Sequence, residues 1–193
     1  MKEQQNGCLI AGITGIGVLF LFILIPIFYY NSIVSRDEAI DASWAQVETV
    51  LQRRYDLIPN LVNTVKGFAK QEKEVLTEVT SLRSQWAKAG SVAEKARAAT
   101  GLEAALGRLM VISERYPELK SNQNFLRLQD ELAGTENRVS VERRRYNEAV
   151  RKYNTIVRKL PGKIIADFAG FEERDVYFEA VSDAASAPVV DFQ

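Results

Sequence analysis

The sequence predicts an all-α protein, with an N-terminal transmembrane helix followed by an elongated antiparallel bundle of long helices. Three observations carry that prediction. Residues 8–30, CLIAGITGIGVLFLFILIPIFYY, hold no charge, and the uncharged run extends from Gln4 to Ser35. A bilayer core about 30 Å thick needs roughly 20 apolar residues in a helix. Next, Trp44, Val47, Leu51, Ile58, Val62 and Val65 recur at helical spacing. Finally, a three-then-four register runs from Phe125 through Leu128, Leu132, Thr135, Val139, Glu142, Tyr146, Ala149, Tyr153 and Ile156 to Leu160. Such a register belongs to a long helix wound on partner helices. Residues 1–35 are therefore assigned to a short N-terminus and the span, 36–170 to the helical bundle, and 171–193 to an acidic, partly flexible tail.

The apolar run is longer than a secretory h-region and lacks a small-residue cleavage pattern, so it reads as a retained anchor. Gly12, Gly15 and Gly17 crowd its first half but do not form a Gly-x-x-x-Gly pair. Tyr29 and Tyr30 suit the headgroup zone. The Lys/Arg bias across the span is weak, with Lys2 on one side and Arg36 on the other. It leans toward a body outside the cytoplasm.

A long helix begins near Asp37. Pro59 lies inside its pattern, where the missing N–H should bend or locally break it. Val75, Val79, Leu82, Trp86 and Ala89 mark a second helix, closed at Gly90-Ser91. An Ala-rich helix follows, with Leu102, Leu106 and Leu109 on one face, and Tyr116-Pro117 ends it. The longest soluble helix spans about Ser121 to Lys159 and stops at Pro161-Gly162. Lys163 to Ala169 fits one short helix closed by Gly170. In the tail beyond, Glu172, Glu173, Asp175, Glu179, Asp183 and Asp191 face only Arg174. Val189, Val190 and Phe192 are placed to dock on the body or a neighbour.

Polar residues on the apolar stripes are the candidate special positions. Arg54 sits between Leu51 and Ile58, and a buried charge must be paired. Glu142 or the nearby Glu136 is the expected partner, fixing helix register. Asp56, Asn60 and Asn63 surround Pro59, and the asparagine amides are expected to serve the carbonyl that the proline leaves without a donor. Tyr146-Asn147 and Tyr153-Asn154 repeat one heptad apart, a pattern read as helix–helix hydrogen bonding. The basic stretch from Arg138 to Lys159 is expected either to pair with acidic helices such as the one carrying Glu72, Glu74 and Glu78 or to remain a solvated face, with a membrane-surface or nucleic-acid role as the lesser alternative.

Composition excludes several functions. Lys plus Arg equals Asp plus Glu, at 25 each, so no general nucleic-acid affinity is expected. The chain has no histidine and one cysteine, Cys8, which removes intrachain disulfides, Cys/His zinc sites and histidine-activated nucleophiles. No phosphate-binding glycine loop occurs. No carboxylate pair stands out for acid–base or metal chemistry. We expect no catalytic residue, no cofactor and no small-molecule substrate.

Several stretches together resemble the bacterial LemA family. They are Arg53-Arg54-Tyr55-Asp56-Leu57-Ile58-Pro59-Asn60-Leu61-Val62 with Val65-Lys66-Gly67; Tyr116-Pro117-Glu118-Leu119-Lys120 with Phe125, Leu128-Gln129 and Leu132; and Thr135-Glu136-Asn137-Arg138 with Arg143, Tyr146-Asn147 and Tyr153-Asn154. Pro161 and the ending Ala166…Gly170-Phe171 complete the match. The resemblance implies a single membrane helix carrying a soluble helical bundle in a bacterial cell membrane. It marks Arg53, Asp56, Pro59, Asn60, Glu136, Asn137, Arg138, Tyr146 and Asn147 as family positions without assigning them a chemical role. A protein resembling this family takes part in building magnetosome membranes, which implies a membrane-organising role.

The expected function is a non-enzymatic scaffold or assembly protein of the cell envelope. Its expected partners are the lipid bilayer, further copies of itself in a homo-oligomer, and another membrane protein. The alternative is an accessory subunit or ligand sensor for a membrane enzyme such as a protease, with a polar pocket near Pro59.

Overall fold

The structure is a computed structural model describing residues 2–178, with side chains described from Gly15 onward except at Val18. Expectations for the side chains of Cys8 and Gly12, and for tail residues 179–193, lie outside the described residues. Among the described residues every regular element is helical. The elements are α1 (Lys2–Phe68), α2 (Lys73–Lys88), α3 (Val92–Ser113), α4 (Pro117–Lys120), α5 (Gln123–Arg158) and α6 (Gly162–Ala169).

α1 runs unbroken through Pro26 and Pro59, so the local break expected at Pro59 does not occur. Along the apolar run Ile16, Leu19, Phe20, Leu21, Phe22, Ile23, Leu24, Ile25, Ile27 and Phe28 are all exposed. A helix apolar on every side and covered by no other described residue is a membrane span. It anchors the protein in the membrane as a single-pass segment.

The described chain divides into two compact units. The first takes α1 up to Ala42 and residues Glu148–Asp175. Its core is formed by Ile33 and Ile40 of α1, Val150, Tyr153 and Val157 of α5, and Ala166 of α6. α6 begins where the sequence predicts. A Cβ at Gly162 would lie 2.2 Å from the Ile156 carbonyl oxygen, so only glycine permits this tight return. Gly170 closes α6 in the left-handed conformation, with φ 78°.

The second unit takes Ser43–Asn147 and, among the described residues of the tail, 176–178. The predicted stripe of α1 is buried at Val47, Leu51, Ile58, Val62 and Val65. Against it lie Leu76, Val79 and Trp86 of α2, Leu102, Leu106 and Leu109 of α3, and Phe125, Leu132 and Val139 of α5. Local signals set the helix starts. Ser91 and Glu94 form a reciprocal capping box at α3. The Asn122 side chain accepts from the Asn124 and Phe125 amides, at 3.0 and 3.1 Å, at α5. A Cβ at Gly101 would meet Leu82 at 2.9 Å, so α2 and α3 pack closely there. The α5 register holds from Phe125 to Tyr153, but its last predicted member, Leu160, lies past the helix end and is exposed.

Candidate functional site

In the second unit, α1 brings Arg54 and Tyr55 side by side into the core. Arg54 pairs with Glu136 of α5, one of the two predicted partners. Glu142, the other, instead accepts from Arg145 at 2.8 Å on its own helix. The Tyr55 ring stacks on Trp86 of α2, with centroids 4.4 Å apart and planes inclined by 18°. Burial pushes the Tyr55 phenol above its ordinary range, while the nearby charges of Arg54 and Arg143 pull it down. Among the described residues, neither the Tyr55 hydroxyl nor the Trp86 indole N–H has a hydrogen-bond partner.

Pro59 has no N–H for the carbonyl one turn back, which belongs to Tyr55. Arg83 of α2 supplies the missing donor: its Nε donates to the Tyr55 carbonyl oxygen at 3.3 Å. This corrects the expectation that the side-chain amides of Asn60 or Asn63 would do so. Asp56 accepts from Gln52 at 2.7 Å on the surface. Asn60, Asn63 and Thr64 instead line an open groove of about 360 Å³ with Asn124, Arg127, Leu128 and Glu131.

The tyrosine–asparagine repeat also departs from expectation, because its asparagines hold the tail backbone. In the second unit, the Asn147 amide donates to the Phe178 carbonyl at 2.8 Å and accepts from the Phe178 N–H at 2.9 Å. The Phe178 ring then stacks on Trp44, meets Tyr146 edge-on and lies under the Arg143 guanidinium. In the first unit, Asn154 makes the same pair of bonds to Arg174, at 2.8 and 2.9 Å. Tyr153 donates to the Glu172 carbonyl at 2.8 Å, and Arg174 pairs with Asp37 at 2.9 Å. Burial, followed by the Asp37 charge, raises the Tyr153 phenol.

The basic stretch does not pair with α2. Arg143 pairs with Glu103 of α3 at 2.8 Å, while Glu78 takes Arg108 of α3 and Glu72 takes Arg115 just beyond it. The structure therefore joins Arg54 to Glu136 and places Tyr146 and Asn147 together at Phe178. Arg53, Asp56, Pro59, Asn60, Asn137 and Arg138 stay on the surface. Sequence reasoning missed Arg83, Glu103, Arg174 and Phe178. A charge beside the apolar stripe at Leu102 was the available signal for Glu103. Among the described residues no group of three or more His, Cys, Asp or Glu is arranged to hold a metal ion.

Comparison with known proteins settles the family. The model of the LemA family matches residues 43–192. The chain belongs to the LemA family. As a LemA-family chain it is a membrane-associated protein. Its similarity extends to Magnetosome protein MamQ 2 of Paramagnetospirillum magneticum, at 26% identity over 88% of this chain and 71% of that protein. Magnetosome protein MamQ of Magnetospirillum gryphiswaldense is 26% identical over 89% of this chain and 72% of its own. Protein LemA of Metamycoplasma hominis is 22% identical over 90% and 80% respectively.

Proposed function

We propose that this LemA-family protein is a membrane-anchored scaffold of the bacterial cell envelope, assembling with further copies of itself and with another membrane protein. The observation carrying this reading is that α1 supplies both the membrane span and buried core positions from Ile33 to Val65. One helix thus commits the folded body to the bilayer without an intervening linker segment. The similarity to magnetosome proteins supports a membrane-organising role. The family positions that stay exposed, Arg53, Asp56, Asn60, Asn137 and Arg138, offer a polar surface for a partner. Homo-oligomers form through helices, and the body stands outside the cytoplasm.

Gentle extraction from membranes, followed by mass measurement and identification of co-purifying proteins, tests this reading. A defined oligomer or a stoichiometric membrane partner supports it, and a monomer that co-purifies with nothing refutes it. One observation favours a second reading as a sensor or accessory subunit: the polar groove at Asn60, Asn63, Thr64 and Asn124 beside Pro59. Under that reading a small polar ligand protects Asn60 and Asn124 from solvent, which hydrogen exchange in the presence of candidate ligands would register.

A further inference from the structure

The first unit ends in an apolar helix face that no described residue covers. Phe168 is 94% exposed, Leu160 72% and Ile164 64%. Ile164 and Phe168 are one helical turn apart on α6 and project from one side, and Leu160 lies in the turn that leads into this helix. Single exposed apolar residues need no explanation, but an aligned pair with a third exposed apolar residue at its start, next to a membrane span, does. The location is fixed by aromatic contact. Phe171, just past the Gly170 cap, meets the Tyr30 ring at 5.7 Å. Tyr30 closes the apolar run, so α6 lies where the span leaves the bilayer.

Beside this face is a groove of about 380 Å³ lined by Tyr29, Arg36, Arg151, Lys152, Thr155 and Lys159, among others. Lys152 is paired with Glu148 at 2.7 Å. Among the described residues Arg36, Arg151 and Lys159 make no ion pair. The Arg36 Nε is buried without an acceptor. Buried guanidinium N–H groups are normally hydrogen-bonded, so this donor points to an anionic oxygen supplied from outside the chain. Tyr29, at the headgroup level, forms the membrane-side wall of the groove.

We propose that α6 is an interfacial membrane helix, and that the adjoining groove binds the phosphate of an anionic lipid headgroup. Leu160, Ile164 and Phe168 enter the acyl boundary of the leaflet that the span leaves. Arg36, Arg151 and Lys159 take the phosphate oxygens above it. The occupant is lipid because the apolar face is continuous with the span, and because the flanking charge is basic, with Lys163 on α6 adding to it. Each basic residue held near an anionic surface contributes roughly fivefold in partitioning. Three unpaired cations therefore bias the annular lipid strongly.

The test uses the full chain in nanodiscs of phosphatidylglycerol and phosphatidylcholine. In the Phe168→Trp variant, emission in excess of the parent protein should be blue-shifted and quenched by brominated acyl chains. Emission typical of an indole in water, or a blue shift insensitive to bromolipid, overturns the membrane assignment; the latter would place a second protein copy on the face. Native mass spectrometry then counts retained phosphatidylglycerol. The triple variant Arg36→Gln/Arg151→Gln/Lys159→Gln should lose about tenfold or more of the enrichment, and the Lys-for-Arg versions should keep most of it. Unchanged enrichment in the triple variant overturns the headgroup assignment. So does full displacement of lipid by soluble glycerol phosphate, which would make the groove a site for a free anion.

Discussion

Removing the Glu136 carboxylate should destabilise the bundle more than removing the Arg54 guanidinium. The Arg54 side chain is 6% exposed and that of Glu136 is 32% exposed. Glu136→Ala leaves a cation in the core with no route to water. Stranding one member of a buried pair costs about 3–5 kcal/mol, and the partial exposure of this pair places the expected loss near the lower end, about 3 kcal/mol. Arg54→Met leaves the carboxylate, which is a third exposed and can hydrate, and Met refills most of the apolar volume. Its cost should be about 1–2 kcal/mol. Combining the two removes both charges, so the double variant should be more stable than Glu136→Ala alone, with a coupling of about 2 kcal/mol. Denaturant unfolding of the full chain in nanodiscs, followed by tryptophan emission, measures all four corners of the cycle. The reasoning fails if Glu136→Ala costs less than Arg54→Met, or if the two losses simply add.

Other outcomes follow from the same contacts. Asn154→Ala removes the bonds to both the N–H and the carbonyl of Arg174. At about 1 kcal/mol per bond, the Arg174 amide should exchange roughly 30-fold faster, read by hydrogen exchange. Arg83→Met should cost about 1–2 kcal/mol in the parent, but markedly less when Pro59→Ala restores a backbone donor to the Tyr55 carbonyl; equal costs in the two backgrounds would remove Arg83 from that role. Tyr55→Phe should be neutral or stabilising at pH 7, because the hydroxyl it removes is buried and unpartnered. Because burial raises the folded-state phenol above its unfolded value near 10, the unfolded chain releases that proton first. Stability falls as pH rises past about 10. The Tyr55→Phe variant should lose less than the parent in thermal melts across that range.

What the sequence made legible depended on periodicity. The α5 register from Phe125 to Tyr153 could be counted because most of its positions, among them Phe125, Leu132, Val139, Tyr146 and Tyr153, are buried apolar side chains. The closing signals Pro161, Gly162 and Gly170 were readable because each answers a purely local backbone demand. Arg54 was flagged by a charge on an apolar stripe, and its partner could be narrowed to two residues two turns apart on α5. The choice of Glu136 needed the helix alignment itself. Arg83 was invisible because its bond to Tyr55 arises only once α2 docks on α1. The asparagine bonds were misassigned for a different reason. Residues 171–178 have no periodic pattern, so nothing in their composition identified them as the chain that Asn147 and Asn154 would hold.

Both asparagine amides grip main-chain atoms, one donor and one acceptor at Arg174 and the same at Phe178. Attachment of this kind reads the shape of an extended peptide and ignores the identity of its side chains. The segment can therefore drift in composition over evolutionary time without coming loose, provided its amide hydrogens remain. Proline is the one residue these two positions should exclude, since it has no amide hydrogen to offer. A screen of all substitutions at 174 and 178 should thus show proline as a sharp outlier beyond whatever is lost with the Arg174 charge or the Phe178 ring.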